Sequence, residues 1–307
     1  MAITASMVKE LRELTGAGMM DCKKALGETD GNMEEAVDYL RKNGQAKAEK
    51  KASRIAAEGI VKTVIKDDKV AVMVEVNSET DFVAKNEEFQ SFVSDVADQL
   101  VATDVADVDA LLAATWAADT SKTVSEALVE KVARIGEKLT IRRFEKVTAE
   151  DGCVVGYIHG GGKIGVLVKA TTDVVNDEVR VCLRNVAMQV AAMSPKYTSR
   201  DEVDPDYIAH EKAILLDQAK IENPEKPENI IEKMIMGRVN KLMKEVCLLD
   251  QAYVQDGDLT VAQYVEKVAK ENNAAMKVTS FVRFQTGEGI EKKEENFAEE
   301  VAKQMGN

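Results

Sequence analysis

Apolar residues recur along the chain in two rhythms, and the rhythm changes near residue 60. Before it, spacing of three and four dominates. Val8, Leu11 and Leu14 form one stripe, which Gly16-Ala17-Gly18 interrupts. Met20 to Glu28 reads as a short second helix with Ala25 and Leu26 turned inward. Asn32 stands three residues before Glu35, a capping-box arrangement, and Ala36, Val37 and Leu40 continue a third helix toward a stop at Gly44. Residues 1–45 therefore predict a three-helix module with a thin core. QAKAEKKASR follows, polar and basic, and 46–58 reads as a linker or an exposed helix that could steer the molecule toward an acidic partner.

Beyond Ile60 the period shortens to two. Val70, Val72, Val74 and Val76 alternate with Ala71, Met73 and Glu75, the signature of a strand. Asn86 then opens an amphipathic helix carrying Phe89, Phe92, Val93, Val96 and Leu100, with Glu87 and Glu88 placed to suit its dipole. A helix over Val124 to Arg134 leads into a strand at Leu139-Thr140-Ile141-Arg142-Arg143-Phe144. The plan then repeats. Lys163 to Val168 echoes Lys69 to Val74, a helix with Val179, Leu183, Val186, Val190 and Met193 follows, and Phe281-Val282-Arg283-Phe284 echoes Ile141 to Phe144. Two sheet-plus-helix subdomains related by duplication are the economical expectation, over 59–145 and over 146–200 with 247–285. The second is interrupted at 201–246. Ile208, Leu215 and Ala219 mark one helix there, and Ile231, Ile235, Val239, Leu242 and Val246 another. ENPEKPEN turns the chain between them. That is a helical hairpin whose half-exposed apolar seam suits a dimer arm. Residues 286–307 close with a short charged helix, Asn296 to Gln304. The fold class expected is α+β.

Composition narrows the function classes. Across 307 residues the apolar share is 45% and the charged share 31%, ordinary for a globular protein, and no apolar run is long enough to span a membrane. Aromatics make up only 5%, so the cores must be built from aliphatic side chains. MAITASMVKEL lacks the order of a signal peptide, and a cytoplasmic location is expected. A net charge of −13 argues against direct nucleic-acid binding, which depends on Lys and Arg, and favours protein partners. Cys22, Cys153, Cys182 and Cys247 are scattered, and with only His159 and His210 beside them no zinc spacing exists. Neither metal nor cofactor is expected.

No catalytic constellation stands out. Gly160-Gly161-Gly162-Lys163 has part of the look of a phosphate loop, but Tyr157 and Ile164 occupy positions that need Gly and Ser or Thr, and the run joins two strands. It reads as a hairpin turn. His159 lies at that turn with no acidic or cysteine partner near it in sequence, and His210 sits within the hairpin. The segment that does stand out is Asn77 to Asn86. It is polar like a loop, yet it carries Phe82 and Val83. Either both tuck beneath the loop, or Phe82 is an exposed wedge flanked by an orienting acid.

Thr80-Asp81-Phe82-Val83-Ala84-Lys85-Asn86 resembles the TDFVA signature of the elongation factor Ts family. Leu14-Thr15-Gly16-Ala17-Gly18-Met19-Met20-Asp21-Cys22-Lys23-Lys24-Ala25-Leu26 resembles the family's other signature, in its ubiquitin-associated-like N-terminal module. Lys138 to Arg143 and Phe284 to Gly289 follow in the family's order, so the resemblance spans essentially the whole chain. Three features depart from the pattern: Met236-Gly237-Arg238 where relatives usually have Glu-Gly-Arg, Leu242 where an aromatic is common, and an extra glycine in the turn after His159. They bear on contacts of the hairpin and second subdomain.

The resemblance implies a guanine-nucleotide exchange factor in translation elongation, not an enzyme. Its partner would be elongation factor Tu, bound both with GDP and free of nucleotide. It assigns Thr80, Asp81, Phe82 and Val83 to dislocating Mg²⁺ in that partner. It also makes Lys23, Ile135, Gly136, His159 and the C-terminal helix partner contacts. Two other readings compete. A ubiquitin-associated-like adaptor with a dimerising hairpin would have no need of the Thr80–Val83 segment. A cysteine-dependent transferase would need a base the sequence does not display.

Overall fold

Thr4 accepts a hydrogen bond from the Met7 amide and opens α1 (Ala5–Thr15), whose apolar face buries Val8 and Leu11. α2 (Met19–Glu28) adds Cys22, Ala25 and Leu26 to the same small core, and α3 (Met33–Lys51) adds Ala36. Asn32 caps α3 by accepting from the Glu34 and Glu35 amides, but the Glu35 carboxylate accepts from the Asn32 side-chain amide and not from its backbone N–H. This computed structural model describes residues 3–291.

Gly44 does not stop the third helix. α3 runs through it to Lys51, so of the two readings of 46–58, linker or exposed helix, the helix applies as far as Lys51. The reason is tertiary. Gly44 is buried where α3 crosses the helix Val124–Ile135, and a Cβ there would meet Ala133 at 3.5 Å and Val129 at 3.8 Å. Close approach of two helices outweighs the roughly 1 kcal/mol that glycine costs inside one.

Beyond the module, β1 (Glu58–Lys66), β2 (Val70–Ser78) and β3 (Thr140–Thr148) form an antiparallel sheet in the order β1-β2-β3. Between β2 and β3 come α4 (Asp81–Ala84), α5 (Glu87–Ala102), α6 (Val108–Ala113) and α7 (Val124–Ile135). Phe89, Phe92, Val93, Val96 and Leu100 of α5 bury themselves against Val72, Val74 and Val76 of the central strand. β1 was not singled out from the sequence. Its Ile60 and Val64 face this helical layer while Val61 faces the other way, and burial on both sides blurs the alternation.

The second half follows a similar plan. β4 (Gly152–His159) and β5 (Ile164–Thr171) form a hairpin, α8 (Asp177–Met193) covers them, and a helical hairpin of α9 (Pro205–Glu222) and α10 (Glu228–Val246) follows. β6 (Ala252–Tyr253), β7 (Asp256–Thr260) and α11 (Val261–Glu271) precede β8 (Lys277–Gln285), which completes the sheet β4-β5-β8. α11 escaped the sequence reading although Val261, Val265 and Ala269 keep helical spacing, and Thr260 with Gln263 forms a capping box. Within the helical hairpin Ala219, Ile231 and Ile235 pack together, while Ile214, Ile221, Ile230 and Met236 remain exposed.

The two sheets back onto one another. Val61, Ala71 and Met73 of the first meet Val154, Leu167 and Phe284 of the second. The core thus lies in three layers, helix-side, sheet-to-sheet and helix-side. The C-terminal helix expected at Asn296 to Gln304 lies outside the described residues. Among those described, no helix is long and apolar enough to cross a membrane.

Candidate functional site

The central strand β2 ends at Ser78, and the chain makes one helical turn before α5 begins. Thr80, extended at φ −124°, caps that turn and accepts from the Val83 amide at 3.3 Å, while the Ser78 hydroxyl donates to the Thr80 carbonyl at 2.9 Å. Ala84 is buried and Val83 half-buried against the first subdomain's core, which pins one side of the turn. Phe82 falls on the other side. The sequence left Phe82 and Val83 with two placements, and the structure separates them: Val83 packs inward and Phe82 is 80% exposed.

Charge surrounds the ring. Lys85 Nζ lies 2.7 Å from Asp81 Oδ2 and 6.0 Å from the Phe82 ring centroid. The bond from Lys85 holds the Asp81 carboxyl below the usual carboxylate range, with the charges of Lys85 and Lys163 adding to it. An ionised acid therefore flanks an exposed aromatic.

The turn is held from outside by two acids that sequence reading assigned no role. Glu137 Oε2 accepts from the Glu79 and Thr80 amides at 3.1 and 3.0 Å, and its Oε1 accepts from the Thr80 hydroxyl at 2.7 Å. In return, Glu79 accepts from the Lys138 amide at 2.6 Å and from Arg54 at 3.3 Å. Lys138 Nζ donates to the carbonyls of Ala52 and Arg54, both at 2.8 Å. Three chain segments are thereby laced together. The partners of Glu137 and Lys138 are more than fifty residues away, and Arg54 lies 25 residues from Glu79, so only the acid after a helix-ending glycine at Gly136-Glu137 could have hinted at one.

Ile135 and Gly136, named from the resemblance, serve this geometry. Ile135 packs on the first core, and Gly136 ends α7 in the left-handed region at φ 86°. Nothing lies within 4 Å of where its Cβ would be, so the need for glycine comes from the backbone. His159 is exposed at the end of β4, with Nδ1 3.0 Å from the Tyr157 hydroxyl. Gly160–Gly162 form the β4–β5 turn, as read from sequence, and this turn backs onto β1 through the Val61 amide and the Gly162 carbonyl at 2.7 Å. Lys163, just past it, pairs with Glu58. Lys23 stands on the exposed side of α2, in the N-terminal module and outside the brace.

A second charged centre ties the halves of the molecule together. Glu75, fully buried on β2, accepts from Gly287 N–H at 2.7 Å, Asn77 at 3.0 Å, Arg142 at 3.0 Å and Arg143 at 2.6 Å. Burial alone pushes its carboxyl up, but the bonds from Gly287, Asn77, Arg143 and Arg142 outweigh it and leave the group below its ordinary value. Arg143 also lies 4.2 Å over the Phe284 ring.

The four thiols offer no nucleophile. All are buried and raised above their ordinary value, chiefly by burial, with Cys182 pushed up to about 12. A reactive cysteine needs the opposite shift.

The family model described as Elongation factor TS matches residues 79–288 of this chain, from the base of the Thr80–Val83 turn to the loop after β8. The chain belongs to the elongation factor Ts family. Among curated members, elongation factor Ts of Clostridioides difficile (strain 630) is 59% identical over 304 residues, covering 99% of each chain. Those of Clostridium botulinum (strain Eklund 17B / Type B) and Clostridium novyi (strain NT) are 52% and 51% identical, again over 99% of both chains. Membership in the elongation factor Ts family makes the chain a translation elongation factor. The braced turn at Thr80–Val83 lies within the matched span.

Proposed function

We propose that this chain is the guanine-nucleotide exchange factor for elongation factor Tu, and that Phe82 is the wedge by which it loosens GDP. One observation carries the reading: a large aromatic is 80% exposed on a single helical turn that is otherwise pinned by buried Ala84 and by hydrogen bonds. Full burial of such a ring in a partner supplies roughly 1.5–3 kcal/mol, against nothing gained while it faces water. Mg²⁺ tolerates little distortion of its octahedral shell, so an aromatic lodged beside it weakens the hold on the diphosphate.

Asp81 is an orienting acid in this scheme, since its carboxylate is already engaged by Lys85. Thr80 and Val83 hold the turn. Exchange follows by linkage: whatever factor lowers GDP affinity also lowers the factor's affinity for the GDP-bound partner. GTP then completes the cycle without a nucleotide site on this chain. Lys23 and His159, both exposed, are proposed as additional contacts to the same partner.

Stopped-flow release of a fluorescent GDP from elongation factor Tu tests the wedge. Phe82→Ala is expected to slow factor-stimulated release by at least about tenfold, the equivalent of about 1.4 kcal/mol of lost burial. The melting temperature should hold, because the side chain touches little of its own fold. Undiminished stimulation by the variant removes Phe82 from the mechanism.

A further inference from the structure

Glu137 lies outside the Thr80–Val83 turn, 57 residues from Thr80, yet its carboxylate takes up three of the donors that define the turn's entrance. Two are the backbone amides of Glu79 and Thr80, just beyond Ser78, the last residue of β2 paired in the ladder. The third is the hydroxyl of the capping residue itself. A carboxylate receiving several N–H and O–H bonds is held firmly, and its donors are held with it.

We infer that Glu137 is a positioning residue for nucleotide release: it fixes the direction in which Phe82 projects, and so converts partner binding into displacement. This rests on the wedge reading of Phe82. The geometry favours a steering role over a purely local one. Thr80 Oγ1 donates to Glu137 at 2.7 Å while accepting from the Val83 amide at 3.3 Å, so the Glu137 bond sets the hydroxyl that in turn sets the helical turn carrying Phe82. The reciprocal bonds from Lys138 N–H and Arg54 to Glu79 keep the two loops in register. Glu137 itself is aimed by Gly136, whose left-handed conformation turns the chain from α7 back toward the wedge.

A wedge that wanders still reaches its partner, because the other contacts of the factor remain. What it loses is the fraction of bound complexes in which the ring points at the metal site. Loss of Glu137 should therefore lower the maximal rate of GDP release and leave the half-saturating concentration of factor nearly unchanged.

The test uses the full chain with elongation factor Tu carrying fluorescent GDP, and compares Glu137→Ala, Glu137→Gln and Phe82→Ala. Amide hydrogen exchange at Glu79 and Thr80 is followed in the same proteins without partner. Glu137→Ala is expected to speed exchange of those two amides and to lower the maximal release rate by about tenfold, the scale of one lost charge-assisted hydrogen bond. Its melting temperature should stay within a few degrees. Glu137→Gln keeps an oxygen for the two amides and should recover part of the rate.

Unchanged amide protection in Glu137→Ala overturns the inference, as does an unchanged maximal rate while Phe82→Ala is slow. A rise in half-saturating concentration at constant maximal rate also overturns it, because Glu137 would then be a plain contact. If Phe82→Ala also releases GDP at full speed, the wedge reading itself has failed and the positioning role falls with it.

Discussion

At the scale of single residues, Glu75 and Glu137 bind distant segments together, and the sequence made neither conspicuous. Glu75 sits in a valine-rich strand where alternation alone assigns it a face, and that face turns out to be the interior. It is ionised there because four donors converge on it from three segments. Glu75→Ala would leave Arg142 and Arg143 without their buried partner and should destabilise the fold by about 2–4 kcal/mol, less than a wholly buried pair because both arginines are partly exposed. The pH dependence has a definite sign. The folded-state pKa of Glu75 lies below an unfolded value near about 4.3, so its stabilisation is complete above that value and is lost as pH falls through the folded pKa. Urea midpoints of parent and variant should therefore differ most near neutrality and converge in acid. A gap that stays constant down to the acid limit would assign the effect to packing instead of charge. Phe82 was legible as an oddity in a polar loop, but its exposure was not, since Val83 beside it carries the same apolar signal and packs inward.

Helices and strands were easiest to read where one face meets water. α5, α7 and α8 declared themselves by spacing, and α5 also by Asn86 at its start; Thr123 and Asn176 prove to cap the other two. Gly44 misled because a glycine near a helix end signals a stop only when nothing is packed against it. In α3 its Cβ position faces Ala133 and Val129 of α7. Gly44→Ala is expected to stabilise by about 0.5–1 kcal/mol, since the added methyl meets Ala133 at an ordinary 3.5 Å and helix propensity improves. Gly44→Leu should destabilise by about 1–3 kcal/mol by forcing α3 off α7. Thermal melts of both variants decide this, and a destabilising alanine would mean the two helices cannot give even slightly. β1 was missed because burial on both of its faces blurs the alternation; α11 was missed although Val261, Val265 and Ala269 mark a single buried face and a capping box opens it.

The whole molecule is held together by contacts between its halves. Leu167 lies at the sheet-to-sheet core with Met73 and Val61, far in sequence from either. The chain has one tryptophan, Trp116, buried against Phe92 in the first subdomain. Leu167→Ala, a change in the second sheet, should cost about 2–5 kcal/mol and lower the urea midpoint seen by Trp116 fluorescence as much as that seen by far-ultraviolet circular dichroism. If the tryptophan transition stays put, the halves unfold independently and the shared core is weaker than its burial implies. From sequence alone came the α+β class, most but not all of the helices and strands, the repeated strand-and-helix plan, the helical hairpin and the segment at Thr80–Val83, because each rests on local spacing or on a contiguous motif. Folding alone decided which side of that segment faces water, which acids brace it and how the two sheets share an interior. Those outcomes depend on pairs such as Thr80 with Glu137 and Glu75 with Gly287, and residues so distant along a chain leave no periodic trace of one another until the chain brings them within hydrogen-bond reach.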